Sequence, residues 1–203
     1  MPNLLSTVCP RANVIMNAVG QQLFVNSNPT LAPYAMEVIA AFSGVEQNML
    51  RIFLRLAGGN ETDATTMYMA LDGDGPKTAV FKALAKQKLE AAALEMFNAL
   101  LKKVGSVRKE RNKIAHWSWG FSPNLPDDLL LMDSRCLTIA SDKIFVYTKR
   151  DFEDLANRIH VVSTCCSRFS HIVAAGSIEG LPPPLLSWLR TELGFRDMED
   201  YPA

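Results

Sequence analysis

The chain has 203 residues with 48% hydrophobic content, enough for a full core, and it reads as a single compact domain over 1 to 180 followed by a C-terminal appendage over 181 to 203. Lysine plus arginine and aspartate plus glutamate both total 21, which excludes a global field drawing the protein to nucleic acid or an anionic membrane, so any such attraction must be local. No apolar run approaches the roughly 18 residues of a membrane span, and Met1, Pro2, Asn3, Leu4, Leu5 and Ser6 lack the basic and apolar regions of a secretory signal, so the expected setting is the cytoplasm, without membrane contact.

Residues 12 to 24 fit a helix, although Val14, Ile15 and Val19 leave helix and strand both open, and the turn-rich Asn26, Ser27, Asn28, Pro29 and Thr30 follow. From 33 to 57, Val38, Phe42, Val45, Met49, Ile52, Phe53 and Leu56 recur at three- and four-residue steps, the pattern of an amphipathic helix. Gly58, Gly59 and Asn60 stop it. A shorter helix over 63 to 71 leads to a loop at 72 to 77, marked by its glycines and Pro76. The spacing of Phe81, Ala85, Leu89, Ala92, Met96 and Leu100 predicts a helix over 77 to 104, and Gly105 with Ser106 predicts a break or kink before a further helix over 106 to 117.

Short apolar runs at 129 to 132 and 143 to 147, separated by about ten polar residues, fit two antiparallel strands. Asp151 is the expected N-cap of a long helix reaching 175, with the stripe Phe152, Leu155, Ile159, Val162, Cys166, Phe169 and Val173. Pro182, Pro183 and Pro184 precede a short helix over 185 to 193 and a polar tail. The expected architecture is therefore mainly α: an antiparallel helical bundle with a small β-hairpin inserted near 129 to 148.

The chemistry concentrates in one segment. Arg111, Asn112 and His116 lie within about two helical turns, where a fixed cation and a titratable base could act on a phosphodiester. Cleaving RNA without a metal requires a base for the 2'-hydroxyl, an acid for the leaving 5'-oxygen, and a cation for the pentacoordinate phosphate. His116 suits either proton-transfer role, because a free imidazole titrates near pH 6.5. Arg111 is always charged and can fork onto two phosphate oxygens, while the Asn112 amide could hold the arginine or the phosphate. One imidazole does not easily perform both transfers, and a symmetric dimer would supply the second. On an ideal helix a five-residue step rotates about 140 degrees and climbs about 7.5 Å, so Arg111 and His116 do not share a face. Arg108, Lys109 and Lys113, with Lys102 and Lys103 before them, make this stretch basic, and Glu110 is its only acid from 102 to 116. Local capture of RNA would require such a stretch.

The segment resembles the signature of the HEPN family: an arginine, then a polar residue such as asparagine, then a histidine four to six residues beyond the arginine, matched here by Arg111, Asn112 and His116 over about 106 to 120. The resemblance implies a HEPN-like helical bundle that dimerises through the motif and often acts as a metal-independent endoribonuclease, as a toxin or defence effector with an antitoxin partner. It assigns Arg111 and His116 as the catalytic pair and Asn112 as their polar support. By helix order, Glu46 is a candidate to orient the motif. In one branch of the family a tyrosine two positions after the histidine is modified by a nucleotidyltransferase antitoxin; here that position is Ser118. Some members are binding modules only, which keeps a silent module binding RNA or a protein partner as the alternative.

Other features read more plainly. Trp117 and Trp119 could stack on bases or close an edge of the bundle. Arg111 could pair with Glu46 or Glu110, and His116 could serve as a core histidine. The run from Asp72 to Gly75 has the spacing of a calcium loop, but its twelfth position is Ala83 and not glutamate, so a simple loop is expected. Cys9, Cys136, Cys165 and Cys166 have no paired ligand spacing and read as free thiols. His160 and His171 share a helix face but stand about 16 Å apart along the axis, too far for one metal. No metal or cofactor is expected.

Overall fold

The computed structural model describes residues 2–16 and 29–195. In chain order the elements are β1 (Asn3–Leu4), α1 (Leu5–Val8), β2 (Ile15–Met16), α2 (Ala32–Ala57), α3 (Glu61–Ala70), α4 (Asp74–Lys88), α5 (Ala91–His116), β3 (Ser118–Ser122), β4 (Leu125–Met132), β5 (Ile144–Tyr147), α6 (Lys149–Ala175), a 3-10 turn (Ile178–Gly180) and α7 (Pro183–Leu193). The protein is mainly helical with a small antiparallel sheet. No helix among the described residues is long and apolar enough to cross a membrane. The chain divides into two compact units, Met1–Phe42 with Val107–Ile159 and Ser43–Ser106 with His160–Ala203.

The first unit is built on a five-stranded sheet of order β1-β5-β4-β3-β2. The expected hairpin is present, with Leu129 opposite Tyr147 and Met132 opposite Ile144. The hairpin is also only the middle of the sheet: Trp119 of β3 pairs with Leu131, and the two-residue strands β1 and β2 close the edges. Alternation along the strands gives two apolar faces. Leu130, Met132, Ile144 and Val146 gather around Leu5, with Cys9, Val14 and Met16 packed against them. Leu129, Leu131, Trp119 and Tyr147, also buried, point the other way. Gly120 is required by close approach, because a Cβ there would lie 2.8 Å from the Ile15 carbonyl and closer still to the Met16 sulfur.

The helix read over 12 to 24 falls largely outside the described residues, and its first part is strand β2 at Ile15–Met16. β-Branched Val14 and Ile15 suit a pleated strand, the alternative that the sequence leaves open there.

In the second unit, Val45, Met49, Ile52, Phe53 and Leu56 of α2, Met96, Phe97 and Leu100 of α5, and Cys166, Phe169 and Ile172 of α6 are all buried, as are Leu189 and Leu193 of α7. A chain of rings runs through this core: Phe53 to Phe81 at 5.5 Å, Phe81 to Phe97 at 5.9 Å, and Phe97 to Phe169 at 5.5 Å. Asn48 is a buried polar group and is satisfied, its amide donating at 3.1 Å to both the backbone and the hydroxyl oxygen of Ser163. Arg55 donates to the Ser170 carbonyl.

Several boundaries differ from the sequence reading. Gly105 and Ser106 do not break a helix; α5 passes through them to His116. A glycine costs a helix only about 1 kcal/mol relative to alanine, less than burying Val104 and Val107 around it contributes. The actual break lies at Leu89, whose extended backbone separates α4 from α5, and Glu90 accepts a hydrogen bond from the Ile178 N–H there at 3.1 Å. α4 begins at Asp74 and includes Gly75 and Pro76, since proline is tolerated in a first turn. The cap of α6 is Thr148, not Asp151: Asp151 N–H donates to the Thr148 hydroxyl at 3.3 Å, and the Asp151 carboxylate accepts from Thr148 N–H at 3.1 Å.

Candidate functional site

The motif lies on the last turns of α5, within the first unit. Uninterrupted helix fixes the relation between its residues. Arg111 and His116 leave the axis in different directions, as a five-residue step requires. Arg111 is half-buried and His116, the last helical residue, is exposed.

The Arg111 guanidinium has three local features. Its terminal nitrogen donates to Asn112 Oδ1 at 3.2 Å, its carbon stands 5.6 Å from the Phe42 ring centre, and its Nε is buried without a hydrogen-bond partner. Arg108, one turn earlier, also lies over Phe42, at 5.9 Å. Phe42 is itself 1% exposed and lies in the first half of α2, so two cations stand near one aromatic ring. The structure thus brings together Arg111 and Asn112. Among the described residues no hydrogen bond joins His116 to either of them.

Glu110, the one acid of the basic stretch, is engaged on another side of the helix. It pairs with Lys113 at 2.9 Å and accepts from the Tyr147 hydroxyl at 3.2 Å. Burial first, and then the Glu110 charge, push the Tyr147 phenol above its ordinary range. Lys113 is further held 5.4 Å over Trp117 and 4.9 Å over Phe145, rings that contact each other at 5.7 Å. Of the three residues expected to meet RNA, Lys109 is exposed, Arg108 is half-buried on Phe42, and Lys113 is occupied within the fold. Of the two partners open to Arg111 in the sequence, Glu46 and Glu110, the second pairs instead with Lys113.

The two tryptophans separate. Trp119 is buried and donates through Nε1 to the Ile114 carbonyl at 2.8 Å, satisfying one of the orphan carbonyls at the end of α5. It closes the fold. Trp117 is only half-buried, beside His116. Glu46 is exposed on α2 and belongs to the second unit.

Sequence reasoning passed over Phe42, Phe145 and Tyr147 as motif neighbours. Phe42 was legible as a core residue, but only its position across from Arg108 and Arg111 shows the contact between ring and cations. Tyr147 carried a signal, being the polar-tipped residue of an otherwise apolar strand, which needs a partner when buried. Among the described residues no group of three or more His, Cys, Asp or Glu side chains is placed to share a metal ion.

No family model matches the chain, and neither the curated proteins nor the solved structures compared with it gave a match.

Proposed function

We propose that the protein is a HEPN-like, metal-independent endoribonuclease that works as a homodimer, as a toxin or defence effector restrained by an antitoxin. The observation that carries this reading is the arrangement on α5, where the Arg111 guanidinium is held by Asn112 and Phe42 and His116 stands exposed one turn beyond. In the proposed reaction one imidazole takes the proton of a 2'-hydroxyl. The freed oxygen attacks the adjacent phosphorus, Arg111 neutralises the phosphorane, and the second protomer's imidazole protonates the departing 5'-oxygen. The products are a 2',3'-cyclic phosphate and a 5'-hydroxyl. Exposed Lys109 supplies local attraction for the RNA backbone in a chain of zero net charge.

One observation favours a second reading. The seat of Arg111 on Phe42 and its bond to Asn112 suit an arginine that fastens the end of α5, in a silent HEPN-like module that binds RNA or a protein partner.

The deciding experiment incubates the purified chain with single-stranded RNA in EDTA and analyses the ends. Cleavage leaving 2',3'-cyclic phosphate, lost in His116→Ala, together with a dimer in light scattering, supports the enzyme. Salt-sensitive RNA binding without cleavage identifies the silent module. A chain that neither binds nor cuts RNA overturns both RNA readings.

A further inference from the structure

The second unit contains a cavity unrelated to the motif. It is an open-mouthed cavity of about 620 Å³ between the end of α2, α3 and α4, within the size range of small-molecule sites. The Phe53 ring and Ala64 form buried parts of its wall, and Val80 and Leu84 of α4 line the side facing α3. Met67 completes the lining while remaining 59% exposed, so a large flexible apolar side chain stands at the mouth with its surface left to water. The tandem glycines after α2, with φ of 67° and 74°, reverse the chain at the rim and add no side chain to fill it.

Charge narrows the ligand. Among the described residues that line the cavity, Asp63 is the one charged group and no cation faces in. The Asn60 Oδ1 is already engaged, accepting from the Thr62 N–H at 2.8 Å to cap α3. A fatty acid or other apolar anion would meet a carboxylate and find no counter-charge. A neutral body can shed its water against the rings and aliphatic wall, and a positive head can meet Asp63 at the rim.

We propose that this cavity is a binding site for a small hydrophobic molecule, neutral or carrying one cationic head, with Asp63 selecting against anions. It is independent of the RNA chemistry of α5.

Three matched pyrene probes test it on the full chain: pyrenemethanol, pyrenylmethylammonium and pyrenecarboxylate. Binding is read by pyrene fluorescence and by the methyl NMR signals of methionine. The alcohol and the ammonium probe should bind at one site per chain, shift the Met67 methyl, and bind more tightly than the carboxylate. Val80→Trp, at a half-buried position, should fill the cavity and weaken both by roughly tenfold, about 1.4 kcal/mol. Asp63→Asn, at an exposed position, should weaken only the ammonium probe, by about threefold at low salt. The proposal is overturned if the carboxylate binds best, if Met67 does not respond, or if a folded Val80→Trp variant binds as the wild type does. Should Val80→Trp fail to fold, Leu84→Phe is read by the same criteria.

Discussion

The phenol of Tyr147 on β5 donates to the Glu110 carboxylate on α5 at 3.2 Å, joining the sheet of the first unit to the helix that carries Arg111 and His116. Burial and the Glu110 charge raise the phenol's pKa, so the native state holds this proton more tightly than the unfolded chain does. The stability this contributes is complete below the unfolded value of about 10 and is lost as pH rises beyond it. Tyr147→Phe should therefore cost about 1 kcal/mol at pH 7. The gap between wild type and variant should then narrow above pH ~10, as measured by urea midpoints across that range. A gap that stays constant with pH would show that the phenol does not change its proton affinity on folding.

Trp119→Phe keeps a ring in the core but removes the donor to the Ile114 carbonyl. A loss of about 1 to 2 kcal/mol is expected, with the short-wavelength part of the tryptophan emission lost. RNA affinity, where present, should be unchanged, because Trp119 is internal. A drop in affinity from a fully folded variant would place Trp119 in the interface after all.

How much of this was legible follows from where the information sits. The stripe from Val38 to Leu56 gave α2 to within a residue at its start, because burial on one face imposes a three- and four-residue period. The hairpin was visible for the same kind of reason. The partners of that hairpin were not, since β1 and β2 are two residues long and carry no period. The break at Leu89 has no glycine or proline to announce it, and of the break or kink that Gly105 and Ser106 announce, the break is absent because tertiary burial carries the helix through. At the motif, the sequence shows which residue types are close along α5. It does not show that Lys113 is absorbed by Glu110, Trp117 and Phe145, because Phe145 lies on a strand far along the chain.

The reciprocal bonds between Thr148 and Asp151 make the start of α6 a capping box. Thr148→Ala should cost about 1 kcal/mol, and Asp151→Ala a similar amount, with the double variant losing less than the sum because the two side chains serve one another. Thermal unfolding of the three variants checks this. Strict additivity would mean that the two residues act separately.

Burial pushes the Cys165 thiol up to about 11 and that of Cys166 higher still, whereas Cys9 and Cys136 are half-buried in the first unit. A disulfide reagent at pH 8 should therefore label Cys9 and Cys136 in the folded protein, and label Cys165 and Cys166 only after denaturation. For Cys165 the folded value exceeds the unfolded one, so its contribution is full below pH ~9 and is lost as pH rises toward the folded value. Mass spectrometry of the labelled peptides reads the order. Early labelling of Cys166 would place that thiol at the surface.

Arg111→Met separates the two readings of the motif helix. The substitution keeps an unbranched side chain over Phe42 and removes a buried Nε that has no partner, a group whose burial costs about 1 to 3 kcal/mol when unmade. If Arg111 is retained for phosphorane stabilisation, Arg111→Met should hold or raise the unfolding midpoint while cutting RNA cleavage by about a hundredfold or more. Arg111→Lys, which preserves charge but not the two-pronged fork, should lose most of that activity as well. If instead the arginine fastens the end of α5, both variants should lose stability, by about 2 kcal/mol or more for methionine, and RNA binding should fall only with the fold. Denaturation midpoints and cleavage rates measured on the same two variants therefore assign Arg111 either to the chemistry or to the architecture.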